Sequence, residues 1–320
     1  MAILLLEGFE NNVNRLTGTG TFIRSSSVRR TGSYGVAANS YYFLYGTQTT
    51  VRFGLAMYAT RTNGPRGFSL RSGTTTVVAV DADVFDDRMI RLSWMGGSQD
   101  YLVPYRLTGV WVHLMLAVTH STTTGSATLY LNSSPILSVS NVNTGSSSDN
   151  LLIYTESGGA AAYIDDLWIT NSELLGDVRI WSLLPDGDSS VAWSRFPTSL
   201  TANYQAVDDG TDANGDTDYV FTTTAGAQDI YTFQDLTAVH PGAVAVQGVA
   251  IDWIARRSDA GSRTARPLLR ISNTNYYGTS ITLPESYQIF QSTWATNPNT
   301  GTSWTVADVN NLLAGIELQS

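Results

Sequence analysis

At about 150 residues per domain, a chain of 320 residues predicts two domains rather than one. Hydrophobic residues make up 42%, enough to fill a core in each half, so disorder is not the expected state, while charged residues reach only 14%. The net charge is −9, every one of the 18 basic residues is arginine and cysteine is absent. That balance argues against nucleic-acid binding, which needs phosphate neutralisation, and rules out disulfides, Cys-ligated zinc and thiol nucleophiles.

The chain opens on Ala2-Ile3-Leu4-Leu5-Leu6, which stops at Glu7. With no basic flank or cleavage pattern, it is far too short for a signal-peptide core or a membrane span and is expected to be a first strand. No membrane insertion is expected. Strand-like runs follow at 41–45, 51–58, 68–71, 77–80, 89–94, 111–119, 127–131, 151–154 and 163–170, separated by Gly, Asn, Ser and Asp. Such spacing predicts an antiparallel sandwich or barrel. The near-continuous apolar run 110–118 predicts a strand covered on both faces.

Around 171–177 the pattern breaks, which places a domain boundary near residue 173, giving domains 1–172 and 173–320. A second set of strands is expected from Val178, with a turn at Pro185-Asp186-Gly187-Asp188. Further strands are expected at 219–222, 230–233, 244–256, 268–271 and 287–294. One helix start is good: Thr305 caps a short helix expected to reach about Leu313 and stop at Gly315. The fold class is therefore all-β, two tandem antiparallel β-sandwich (jelly-roll type) domains with a short C-terminal helix.

Trp111-Val112-His113-Leu114, Gly125 and Leu129-Tyr130-Leu131-Asn132, followed by Tyr163-Ile164-Asp165-Asp166-Leu167-Trp168-Ile169, resemble the laminin G and pentraxin-like branch of the concanavalin A-like sandwich. The resemblance covers roughly residues 1–172 and implies a lectin-type domain. The second half resembles a module of bacteriophage structural proteins, through Gly176-Asp177-Val178-Arg179-Ile180, Leu184-Pro185-Asp186-Gly187-Asp188, Trp193, Asp216-Thr217-Asp218-Tyr219-Val220, Asp229-Ile230-Tyr231 and Asn297-Pro298-Asn299-Thr300-Gly301-Thr302-Ser303-Trp304-Thr305 with Asp308-Val309-Asn310. It implies a place on a virion and assigns no site.

Catalytic groups are scarce. Sandwich glucanases alternate carboxylates along one strand, and none of the glutamates (Glu7, Glu10, Glu156, Glu173, Glu285, Glu317) stands in such a pattern. Asp81/Asp83, Asp186/Asp188 and Asp216/Asp218 have the spacing but fall at expected turns. Gly187-Asp188-Ser189 is similar to a serine-hydrolase context without the G-x-S-x-G elbow. His113 is expected to be a hydrogen-bonded core residue and His240 a turn residue; Gly18-Thr19-Gly20 lacks the third glycine of a dinucleotide motif. No catalytic residue is assigned.

Calcium is the cation the residues suit best. Asp212, Asn214, Asp216 and Asp218, with Asp208 and Asp209, cluster hard oxygen ligands, although the spacing misses an EF-hand loop and an exposed turn explains the same residues more simply. Asp165-Asp166 suits hydrogen bonding to adjacent loops better than a metal. The arginines at 256–270, with Asp252 and Asp259 among them, are expected to form ion pairs. Recognition is sought in the 16 tyrosines and 8 tryptophans. Tyr41, Tyr42, Tyr101 and Tyr105, like Tyr276-Tyr277, lie near expected turns where a sandwich carries binding loops. Aromatic residues serve assembly interfaces equally, and on a particle that use ranks first. The expectation is a virion structural protein (capsid decoration, head-fibre or tail-associated), made in the host cytoplasm. Its partners would be copies of itself, other virion proteins and host-surface glycans. The alternative is a free non-enzymatic glycan-binding lectin.

Overall fold

The computed structural model describes residues 2–10, 17–18, 24–37, 41–60, 66–82, 87–155, 162–210 and 215–320. Strands and turns dominate, in two compact units: the described residues up to Ile180, and Trp181–Ser320.

The first unit contains β1 (Ile3–Glu7), β2 (Thr17–Gly18), β3 (Arg24–Ser25), β4 (Gly35–Ala37), β5 (Tyr41–Gln48), β6 (Thr50–Ala59), β7 (Arg66–Ser72), β8 (Thr75–Ala82), β9 (Met89–Trp94), β10 (Gly97–Leu102), β11 (Trp111–Thr119), β12 (Gly125–Leu131), β13 (Ser134–Val142), β14 (Ser148–Thr155) and β15 (Ala162–Thr170). They form two antiparallel sheets. One runs β13-β12-β11-β6-β15-β4-β3 with β1 beside β15; the other runs β10-β9-β8-β7-β14-β5-β2. Period-two alternation dictates which side chains meet between them. Val112, Leu114, Leu116 and Val118 of β11 point inward with Phe53 and Leu55 of β6, and meet Phe68, Leu70, Val80 and Leu92 of the other sheet. Phe53 and Phe68 touch edge to face, 4.6 Å between centroids at 87°. Each fully buried side chain of this size contributes about 1.5–3 kcal/mol. Asn132 and Ser133, at φ 48° and 69°, make the two-residue reversal between β12 and β13.

Every strand expected here forms. β2, β3, β4, β10 and β13 are additional: the first three are only two or three residues long, and β10 and β13 are sheet-edge strands whose polar residues, as in Gly97-Ser98-Gln99-Asp100, hide the alternation.

The expected strand at Val178 does not form, and residues 171–180 stay with the first unit. Thr170 Oγ1 donates to Glu173 O (2.6 Å), Trp168 Nε1 to Gly176 O (3.2 Å), and Ile180 N to Asp166 Oδ1 (2.8 Å). These bonds carry the compact unit past residue 173 to Ile180.

The second unit contains β16 (Pro185–Val191), β17 (Ser194–Phe196), β18 (Tyr219–Phe221), β19 (Gln228–Phe233), α1 (Leu236–Val239), β20 (Val249–Ala255), β21 (Thr264–Ile271), β22 (Thr274–Tyr277), β23 (Ile281–Thr282), β24 (Gln288–Trp294), α2 (Val306–Asn311) and β25 (Leu313–Leu318). The main sheet is β16-β19-β25-β21-β22 with β23 beside β21; β20 and β24 pair separately, as do β17 and β18. Trp253 and Phe290, from β20 and β24, pack against Ala265 and Ile316 of the main sheet. The expected turn at 185–188 lies inside β16, an edge strand opened by Pro185 and accommodated by irregular register at Pro185/Gly187 and Asp188/Ser190. Thr305 caps α2 in a reciprocal box with Asp308, as expected. The helix ends earlier than expected, and Gly315 sits within β25, where a Cβ would come 1.9 Å from Asp229 O. Close backbone approach, rather than a helix stop, explains that glycine.

Candidate functional site

The outer face of the seven-stranded sheet gathers the first unit's best-placed polar groups. Tyr154, Gly67, Asp81, Arg91 and Asp100 are consecutive register partners across β14, β7, β8, β9 and β10, so their side chains share one face. No side chain fits at Gly67, where a Cβ would meet Val80 O at 2.0 Å. The Tyr154 hydroxyl therefore crosses that strand and donates to Asp81. Arg91 holds Asp100 with two bonds, Nε to Oδ1 at 2.7 Å and Nη2 to Oδ2 at 2.9 Å.

The adjacent row is Tyr42, Leu152, Ser69, Ala79, Ser93 and Ser98. Its small members, Ser69 to Ser98, form a trough about 14 Å long at the usual interstrand spacing. Ser69 is 2% exposed and its hydroxyl has no hydrogen-bond partner. Beyond the trough lies Arg71, whose guanidinium stands 5.5 Å from the Tyr42 ring centroid and donates to the Tyr42 hydroxyl at 3.0 Å.

The two carboxylates of the ridge differ. Burial raises Asp81, against the lowering effects of the Tyr154 hydroxyl and Arg91. The Arg91 hydrogen bonds hold Asp100 below the usual carboxylate range, and Asp100 in turn raises Arg91. Burial also raises the Tyr154 phenol, which stays a donor. The face thus offers carboxylate acceptors, guanidinium donors, hydroxyls and two tyrosine rings, Tyr42 and Tyr154: the groups that bind a polyhydroxylated ligand. It is poorly arranged for hydrolysis, since Arg91 engages both oxygens of Asp100.

Of the tyrosines singled out from sequence, only Tyr42 lies on this face. Tyr41 is 1% exposed and points into the core beside Phe43, because adjacent strand residues face opposite ways. Its assignment to glycan binding is corrected on that ground. Tyr101 packs against the core, its register partner being Ile90. Tyr105 is exposed in the segment between β10 and β11, where its hydroxyl accepts from Asn132 Nδ2 at 3.0 Å. Asp81, expected at a turn with Asp83, lies within β8 instead. Arg91, Asp100, Tyr154 and Ser69 were not singled out. Their signal is the alternation Phe68-Ser69-Leu70-Arg71 and Ile90-Arg91-Leu92-Ser93, in which every second residue is polar.

Asp212 and Asn214 lie outside the described residues. Asp216 accepts from Arg256 Nη2 (2.8 Å) and from the Tyr287 hydroxyl (2.9 Å). Asp218 Oδ1 is buried without a hydrogen-bond partner; burial and the Asp218 charge both raise Asp208. Among the described residues no three His, Cys, Asp or Glu side chains are grouped to hold a metal. Asp165 and Asp166 serve the adjacent loops: Asp165 accepts from the backbone of Arg30 and Thr31, Asp166 from Ile180 N and the Thr31 hydroxyl. Burial raises both carboxyls. Of the arginines at 256–270, Arg256, Arg257, Arg263 and Arg266 form ion pairs, with Asp216, Glu285, Asp259 and Glu317, so that most partners lie outside the run; Arg270 donates to Asn275 and Gln228 instead. His113 is fully buried, but neither ring nitrogen has a hydrogen-bond partner, contrary to expectation. His240 follows α1 and stacks on Trp181 at 4.7 Å. No helix among the described residues is long and apolar enough to cross a membrane.

No protein-family model matches this sequence, and no curated protein matches it. Similar solved structures include sheep galectin-11 in complex with glycerol, at 12% identity over 41% of this chain and 98% of that one, TM-score 0.32. A pentraxin from Limulus polyphemus is 16% identical over 41% of this chain and 70% of that one, TM-score 0.32. Domain 4 of an arabinanase from Geobacillus stearothermophilus, in complex with arabinotriose, is 14% identical over 48% of this chain and 80% of that one, TM-score 0.32. These similarities carry no ligand or activity to this chain.

Proposed function

We propose that this is a non-enzymatic adhesion protein of a bacteriophage particle, whose first unit binds glycans on the outer face of its seven-stranded sheet. The trough floored by Ser69, Ala79 and Ser93, beside the ridge Tyr154–Asp81–Arg91–Asp100, carries the glycan reading. Ser93 and Ser98, half-buried and exposed, offer their hydroxyls to a sugar lying in the trough. The engaged carboxylates favour binding over cleavage.

The virion role rests on the sequence resemblance of the second half to phage structural modules. Exposed aromatic residues add support: Phe196 and Phe221 are 44% and 47% exposed, and both rings lie against Tyr219, at 5.3 and 5.8 Å. Such surfaces suit contacts with other virion proteins and with copies of the chain. A free lectin is the second reading, favoured by the same sheet face without the particle.

Two measurements test the proposal. The full chain on a glycan array is expected to retain one glycan class and release no reducing sugar, with retention lost in Arg91→Ala. Equal retention by both proteins would overturn the site. Mass spectrometry of purified particles is expected to find the chain at a fixed ratio to the major capsid protein; its absence would leave the free lectin.

A further inference from the structure

We infer that the second unit carries a saccharide site of its own, in the open cleft between the end of β22 and the strand β24. The cleft holds roughly 390 Å³ and is lined by Tyr277, Gly278, Thr279, Gln291, Ser292 and Thr293 among others. That volume falls in the range of small-molecule sites. The lining contains no charged side chain, so it suits a neutral, hydroxyl-rich ligand rather than a phosphate or a carboxylate.

The walls are fixed in advance. The Arg266 guanidinium lies 3.5 Å from the Tyr277 ring centroid, and the Tyr277 hydroxyl accepts from Gln228 Nε2 at 3.2 Å and from Asn275 Nδ2 at 3.3 Å. The ring is 38% exposed, but the cleft wall is almost wholly polar, so the cleft offers a sugar hydrogen-bonding groups rather than a stacking face. Across the cleft, Gln291 Nε2 donates to Asp252 Oδ1 at 2.8 Å, which orients the amide. Gly278 brings β22 close to β24: a Cβ there would lie 2.6 Å from Ser292 Oγ and 2.8 Å from Pro267 Cγ. The Tyr277 hydroxyl and the Gln291 amide are held without a ligand, so little ordering of these groups opposes binding.

This site is independent of the charged face of the first unit.

Hydrogen–deuterium exchange of the full chain, with and without D-glucose, D-galactose or N-acetylglucosamine at saturating concentration, tests the site. With at least one sugar, exchange is expected to slow in peptides covering 274–279 and 288–294. That protection is expected to persist in Arg91→Ala and to vanish in Tyr277→Ala. Thr279→Glu, which puts a charge at an exposed lining position, is expected to remove it without altering exchange elsewhere in the second unit. No protection in those peptides with any of the sugars, or protection that survives both cleft substitutions, overturns the inference. Protection confined to 67–100 would uphold the first-unit site while overturning this one.

Discussion

Arg91 and Asp100 stand directly opposite each other on β9 and β10, joined by two hydrogen bonds of 2.7 and 2.9 Å. A half-exposed pair of this kind contributes only about 0.2–1 kcal/mol to stability. Its value lies in aiming a guanidinium along the ridge beside the Ser69 trough. Arg91→Ala is expected to weaken glycan retention at least about tenfold while lowering Tm by less than about 4 °C. Paired binding isotherms and thermal melts check this; a large Tm loss with retained binding would make the arginine purely structural.

Tyr41 and Tyr42 are neighbours with opposite fates. Tyr41 is buried beside Phe43, so Tyr41→Ala leaves a cavity and is expected to cost about 3–5 kcal/mol, as for other large aromatic truncations. Tyr42→Ala gives up the contact with Arg71 on the outer face, worth about 0.5–1 kcal/mol, and is expected to weaken glycan binding instead. Urea denaturation and glycan retention, measured on both variants, should reverse their order.

Trp168 occupies the space that a side chain at Gly54 would need: a Cβ there would sit 2.5 Å from its Cε2. Glycine inside a strand ordinarily costs about 0.5–1 kcal/mol relative to alanine, so propensity alone makes Gly54→Ala stabilising. Here the indole is fully buried and its Nε1 is bonded to Gly176 O, so it cannot withdraw. Overpacking of this kind costs about 1–3 kcal/mol, which outweighs the propensity gain. Gly54→Ala is therefore expected to lower the urea midpoint; a raised midpoint would show that the indole yields.

Much of the first unit could be read from its residues because its strands bury one face, and burial writes alternation into the sequence. β11 and β15 are plain for that reason. The binding face was harder. Asp81 looked like a turn residue beside Asp83, and only pairing across β8, β9 and β10 brings Asp81, Arg91 and Asp100 into one row. That register depends on contacts between strands, which no single run of residues encodes. The adjacent Tyr41 and Tyr42 looked equivalent, although strand geometry sends them to opposite sides. In the second unit, Pro185-Asp186-Gly187 has turn chemistry but pairs with β19 through an irregular register, so local preference yields to the sheet. Gly315 carries the same lesson, since its need is set by Asp229 on a neighbouring strand.

His113 offers a test through pH. It is fully buried on the side of β11 away from the core between the sheets, beside Ala56 in register, with Asp177 Oδ1 3.9 Å from Nδ1. Burial pushes its pKa down to about 4; Asp177 opposes this, while Arg30 and Arg179 reinforce it. The ring is thus neutral in the folded protein at neutral pH. An unfolded chain titrates its histidine near 6.5, so below that pH the unfolded state binds a proton that the folded state refuses. Stability from this group is fully present above about pH 6.5 and lost as pH falls toward 4, by roughly 3 kcal/mol in total. Glu10, Asp81, Asp165 and Asp166 act in the opposite sense, since their raised pKa values let the folded state take up protons first. Comparing the native chain with His113→Phe cancels their shared contribution. The variant is expected to gain stability relative to the native chain as pH is lowered from 7 to 4, whichever protein is the more stable at pH 7. Urea denaturation across that range measures the difference, and a difference that does not change with pH would mean that His113 takes up its proton without unfolding.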